Sequence, residues 1–147
     1  MEFNLIDEFD GEFAFLSNFY ELPSPITDEI GVTYWTVEHY FQAAKTLDRE
    51  ERRFISALDT PGKAKRVGRR VKLRPDWEEV KIDIMRNALI KKFMDPLMRE
   101  KLLETGNAIL VEGNWWGDRF WGVCDGVGEN HLGKLLMMIR ESYKGIE

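Results

Sequence analysis

The sequence predicts a mostly helical α+β fold, with its few strands short and gathered near the N-terminus. Three observations carry that prediction. Helix starts recur as a capping residue followed by a helical run, at Thr36, Asp48, Thr60-Pro61 and Asp95-Pro96. Apolar residues repeat at helical spacing from Trp77 to Leu89 and again from Leu132 to Tyr143. The first 35 residues instead hold short apolar runs broken by Asp10-Gly11, Pro23, Pro25 and Gly31, the punctuation of short strands and turns. A chain of 147 residues fits one compact domain, residues 1–147, with one real core.

The elements follow in order. Thr36 caps a helix running to about Leu47, and Asp48 caps another from Arg49 to Ala57. At Thr60-Pro61 a cap precedes a first-turn proline and starts a short basic helix. Pro75 or Asp76 begins a longer helix to Phe93, with Trp77, Val80, Ile84, Met85, Ala88 and Leu89 on one face. Asp95-Pro96 begins the next, and Gly106 ends it. Ala108 to Val111 suits a strand. A glycine-rich stretch runs from Gly113 to Gly128. The last helix covers about His131 to Tyr143, and its stripe of Leu132, Leu135, Leu136, Ile139 and Tyr143 is expected to bury.

Composition narrows the function. Apolar residues make up 44 %, which argues against disorder, and five tryptophans with nine phenylalanines leave aromatic surface for a pocket as well as a core. The net charge of −5 argues against general affinity for nucleic acid or acidic membranes. One cysteine, Cys124, excludes an internal disulfide and a cysteine-based zinc site, and two histidines offer little to a metal. No cofactor is expected. The first ten residues have neither a basic start nor a long apolar run, so no signal peptide or membrane span is expected, and a cytoplasmic, reducing setting is the default.

Two residues stand out. Glu38 and Lys45 are seven apart in Val37-Glu38-His39-Tyr40-Phe41-Gln42-Ala43-Ala44-Lys45. If that run is helical, both leave one face, with Gln42 between them. A carboxylate and an amine then share a space with apolar and aromatic neighbours. That pattern suits acid/base or amine chemistry, or equally a structural ion pair. Asp118 lies among Trp115, Trp116, Phe120 and Trp121 with glycines on both sides; it either walls a heterocycle or sugar pocket or caps a tight turn. Asn18, polar within Phe15-Leu16-Ser17-Asn18-Phe19-Tyr20, either fixes a ligand or satisfies a turn. Lys63, Lys65, Arg66, Arg69, Arg70, Lys72 and Arg74 form a basic cluster suited to a phosphate, with Arg69 first because Gly68 beside it opens the backbone. The stretch Gly126 to Gly133 lacks the dinucleotide-binding glycine pattern and reads as a loop and helix cap.

Together these motifs resemble the NADAR family. The resemblance rests on the runs around Asn18 and Glu38 and on Trp77 followed by Lys81, Met85, Leu89 and Lys92-Phe93. It continues through Leu103, Thr105, Leu110, Glu112, Asp118, Trp121-Gly122, Gly128, Asn130, Leu132-Gly133 and Leu136-Met137, in order along nearly the whole chain. The family includes YbiA-like N-glycosidases of riboflavin-biosynthesis intermediates and hydrolases that remove ADP-ribose from guanine. The resemblance implies cleavage of an N-glycosidic bond between a ribose phosphate and an amino-substituted heterocycle. It implies catalytic roles for Glu38, Lys45 and Asp118 around one aromatic-walled cavity. Asn18, Phe19, Gln42, Arg69, Trp77, Trp121 and Asn130 are the expected substrate-binding residues. The implied partner is a ribosyl-phosphate or ADP-ribosyl small molecule, with nucleic acid expected only as an ADP-ribosylated substrate. One departure is the loop Trp121-Gly122-Val123-Cys124-Asp125-Gly126, which is shorter than in many relatives and bears on substrate choice. A non-catalytic nucleotide-binding module and a partner-binding domain are the rival readings.

Overall fold

The computed structural model describes residues 4–145. The chain divides into two compact units, a central one, Asn18–Lys92, and a terminal one formed by residues 4–17 and 93–145.

In the central unit, strands β2 (Ile26–Thr27) and β3 (Thr33–Tyr34) pair antiparallel, with Ile26 opposite Tyr34. Asp28 shapes the turn between them. Its Oδ1 accepts from the N–H groups of Ile30 and Val32, and its Oδ2 accepts the Tyr34 hydroxyl at 2.7 Å. The buried guanidinium of Arg52 donates to Asp28 at 3.2 Å and to Glu29 at 2.7 Å, while its Nε donates to the Thr46 carbonyl. This network ties helix α2 (Arg49–Ser56) to the hairpin and to the chain leaving helix α1 (Val37–Ala43). Helix α3 (Pro61–Gly68) and helix α4 (Trp77–Met94) follow, and the boundary between units falls in α4 after Lys92.

The expected caps all form. Thr36 accepts from the His39 N–H, Asp48 from Glu50 and Glu51, and Thr60 from Lys63. Helix α1 is shorter than expected, ending at Ala43 rather than near Leu47. Its last turn tightens: Lys45 N–H donates to Gln42 and Thr46 N–H to Ala43, each three residues back. The Arg74 N–H then takes the Lys45 carbonyl at 2.8 Å, and the Arg74 guanidinium takes that of Ala44. Those carbonyls are therefore spent on a distant segment instead of on further helix.

In the terminal unit, β1 (Leu5–Ile6) pairs parallel with β4 (Ile109–Leu110), and β5 (Gly113–Asn114) pairs parallel with β6 (Val123–Cys124). A 3₁₀ helix, Gly11–Leu16, occupies a stretch expected to hold strands and turns. Helix α5 (Pro96–Glu104) starts at the Asp95 cap. Helix α6 (His131–Lys144) buries Leu132, Leu135, Leu136 and Ile139 as expected, whereas Tyr143 is half-buried under the Arg99 guanidinium. The buried Arg140 donates to the Thr105 hydroxyl and the Ala108 carbonyl, both at 2.8 Å, which fixes α6 to the end of α5. The result is mostly helical with short strands, as the sequence predicts, but the strands are not all gathered near the N-terminus: β4, β5 and β6 lie between Ile109 and Cys124. Among the described residues no helix is long and apolar enough to cross a membrane.

Candidate active site

The site begins with α1, all seven residues of which are buried. Glu38 points from its first turn, and its N–H donates to the Asn18 carbonyl at 3.0 Å. One helical turn later, the Gln42 side-chain amide donates to Glu38 Oε2 at 2.6 Å. A buried carboxylate thus gains a short, charge-assisted bond that fixes its direction. His39, between them in sequence, faces elsewhere. Its Nε2 lies 2.9 Å from the Leu58 carbonyl, which only accepts, so Nε2 carries the proton and Nδ1 faces the Thr36 hydroxyl. Burial lowers its pKa, and the ring serves structure.

Lys45 stands beyond the end of α1, in the turn that Arg74 holds. Its placement therefore comes from that turn and not from a shared helix face. Its Nζ lies 5.9 Å from the ring centres of both Phe41 and Trp77, which pack on each other at 5.0 Å. Burial lowers the amine below the ordinary lysine range, Glu38 opposes that shift, and the positive charges of Arg69, Lys65 and Lys81 reinforce it. The net direction is down. A half-buried amine that loses its proton more readily than usual is a usable nucleophile.

Two acceptors nearby are unspent. Asn18 donates through Nδ2 to the Met85 sulfur at 3.6 Å, but its Oδ1 is buried without a hydrogen-bond partner among the described residues. Gln42 Oε1 is likewise buried without one. Buried acceptors of this kind call for an explanation, and a ligand donor supplies one at Asn18. Gln42 Oε1 instead abuts Gly68, where a Cβ would collide with it. Gly68 lets α3 close onto α1 at that atom. The expected role of Gly68, opening the backbone beside Arg69, is thereby corrected: the position is buried and filled by Gln42.

The central unit therefore gathers Asn18, Glu38, Gln42, Lys45 and Trp77, with Arg69 exposed yet close enough to act on Lys45. Phe19 is 45 % exposed in the same unit. Lys65 and Lys81 were not singled out as site residues. Lys65 on α3 precedes Arg69, the C-cap of α3, by four, and Lys81 follows Trp77 by four on α4, so helical spacing alone aligns each pair. Of the basic cluster, Arg74 is committed to the Lys45 turn and to Asp76, and Lys63 pairs with Asp59.

Asp118, Trp121 and Asn130 lie in the terminal unit, each within its own loop framework. Asp118 Oδ1 accepts the N–H groups of Phe120 and Trp121 at 3.1 and 2.9 Å, and Asn114 brackets the Asp118 backbone. Trp121 packs edge-on against Phe120 at 4.8 Å. Asn130 holds the left-handed position before α6 at φ 56°, and its amide is spent on the Glu112 N–H and the Leu110 carbonyl. The N–H groups of His131 and Leu132 donate to the Phe120 and Trp121 carbonyls, so the start of α6 is closed by its own loop, as its spacing suggested.

The central unit thus holds a carboxylate fixed by a hydrogen bond and an amine of lowered pKa that sits against two aromatic rings, with several cations acting on the amine. The chain belongs to the NADAR domain family, whose pattern matches residues 6–144. It is 44 % identical over 131 residues to an N-glycosidase of Nostoc punctiforme, covering 84 % of this chain and 83 % of that one. The NMR structure of Escherichia coli YbiA superposes with a TM-score of 0.81 at 39 % identity, over 100 % of this chain and 90 % of that one. The chloroplastic riboflavin biosynthesis protein PYRR of Zea mays is 38 % identical over an alignment of 149 positions that covers 90 % of this chain and 24 % of the larger protein.

Proposed function

We infer that this chain is an N-glycosidase, a hydrolase of N-glycosyl bonds, and that its substrate joins ribose 5-phosphate to an amino-substituted heterocycle of the riboflavin-biosynthesis type. The observation that carries the reading is the niche of Lys45: an amine against Phe41 and Trp77, with Glu38 held by Gln42 in the same unit. The names of the Nostoc and maize relatives support the bond and the substrate class respectively. The family match runs through both units, which supports treating them as one NADAR domain.

The chemistry follows from the groups present. A ribosylamine opens its ring to an imine at the anomeric carbon. Neutral Lys45 adds to that carbon, the heterocyclic amine departs with a proton, and an imine to Lys45 remains. One water then adds, the Lys45 bond breaks, and free ribose 5-phosphate leaves. Glu38 takes the proton that Lys45 loses on attack and returns it to the departing nitrogen. Trp77 walls the reacting sugar, Asn18 Oδ1 accepts from a substrate hydroxyl or amine, and Arg69 with Lys65 and Lys81 receives the phosphate. A substrate panel of ribosylamino-pyrimidine phosphates, ADP-ribosyl guanine and free nucleotides, read by mass spectrometry, tests the reading. The expected products are ribose 5-phosphate and the free amine. Exclusive turnover of ADP-ribosyl guanine would replace this substrate class, and recovery of every candidate intact would leave only a binding module.

A further inference from the structure

A groove of about 620 Å³ in the terminal unit plays no part in the chemistry above. Two backbones meet in its lining, because a Cβ on Gly113 would collide with the Asp7 carbonyl. One wall is Trp115 and Trp116, whose rings meet at 5.6 Å and 87°, forming a corner. Trp115 is 86 % exposed and Trp116 49 %, and Leu5, which also lines the groove, is 52 % exposed. Adjacent tryptophans left this open to water mark an interaction surface more often than a packing accident. The rest of the lining is one-signed. Among the described residues, Asp7, Glu8, Asp10 and Asp125 line the groove and no basic residue does, and Asp125 is the one of these acids that reaches a cation, Arg119 at 3.8 Å.

We propose that this groove docks a segment of a partner protein carrying several arginine or lysine side chains. Indole faces attract organic cations, guanidinium above all, and carboxylates beside them supply the complementary charge. Tryptophan and arginine are the residues that dominate protein interfaces. The carboxylates of Asp7, Glu8 and Asp10 succeed one another along the chain, so the groove matches cations in series better than a single ammonium. Its sign is opposite to that of the Lys65, Arg69 and Lys81 group, so an anionic substrate gains nothing here.

Calorimetric titration of the full chain with a synthetic octapeptide of alternating arginine and serine tests this, with a glutamine-for-arginine peptide and spermidine as comparisons. The arginine peptide is expected to bind saturably. Its affinity should fall roughly tenfold in Trp115→Ala and further in Asp7→Asn/Glu8→Gln/Asp10→Asn, with melting temperatures and turnover of any glycosidic substrate unchanged. The neutral peptide should not bind. Absence of saturable binding, equal binding to Trp115→Ala, or spermidine binding as tightly as the peptide would each overturn the proposal. Because turnover is measured separately, failure of the glycosidase reading would leave this result intact.

Discussion

Gln42 holds Glu38: the amide of one donates to the carboxylate of the other at 2.6 Å, with the residues 4 % and 7 % exposed. Everything the acid does is done in the direction this bond imposes. Removing the donor in Gln42→Leu leaves a buried carboxylate short of a partner, so turnover should fall on the order of 10- to 100-fold, the worth of a bond to a charged group. A variant with wild-type kcat would remove Gln42 from the positioning role.

Gly68 is the other side of the same contact. A methyl there meets Oε1 and Cβ of Gln42, so Gly68→Ala must push Gln42 off Glu38 or part α3 from α1. Overpacking of this kind costs about 1–3 kcal/mol. Urea unfolding should show that loss in the wild-type background and much less of it when Gln42→Ala has cleared the space. Simple additivity of the two substitutions would show that they do not act through one contact.

Asp118 separates shape from charge. Its Oδ1 caps the turn by accepting two backbone N–H groups, which an asparagine oxygen can also do. Asp118→Asn should therefore melt like wild type, whereas Asp118→Ala should lose about 1 kcal/mol. If the charge serves the chemistry, as the family resemblance implies, the asparagine variant should lose turnover at least roughly tenfold despite its intact fold. Full turnover in that variant assigns Asp118 to the turn alone.

Lys92 carries a pH signature. It is 2 % exposed, on α4 with its Nζ 5.8 Å from the centre of the Tyr20 ring, and burial pushes its pKa down to about 7. The folded chain thus holds fewer protons than the unfolded chain between that value and the usual lysine pKa, and stability rises with pH through this window. The burden is full below pH ~7 and is on the order of 4 kcal/mol. Lys92→Met should stabilise the protein by a comparable amount at pH ~6.5 and by far less at pH ~9.5. Denaturant midpoints at the two values check this, and an advantage independent of pH would mean the lysine is not neutralised on folding.

Sequence legibility followed the range of the interactions. Thr36, Asp48, Thr60 and Asp95 announced their helices because a cap joins a side chain to a backbone N–H only two or three residues away. Helix α1 overran in the sequence reading because Arg74, far along the chain, takes the carbonyls of Ala44 and Lys45. The strand at Ile109–Leu110 fell within the predicted run from Ala108 to Val111, but its pairing with Leu5–Ile6 was hidden for the same reason, the partner lying far along the chain. Glu38, Gln42 and Lys45 were visible as a polar set in an apolar run. The fit of Gly68 against Gln42 belongs to packing between helices and left no local mark, whereas Lys65 and Lys81 carried only the four-residue spacing that aligns them with Arg69 and Trp77.

The most direct test of the account is trapping of Lys45 with substrate. Borohydride added during turnover of a ribosylamino-pyrimidine phosphate should reduce the imine, and peptide mass mapping should place one ribose phosphate on Lys45. The adduct should be absent from Lys45→Ala, whose turnover should also be lost. Full turnover by Lys45→Ala, with no adduct on the wild-type chain, would contradict the account and hand the attack to water.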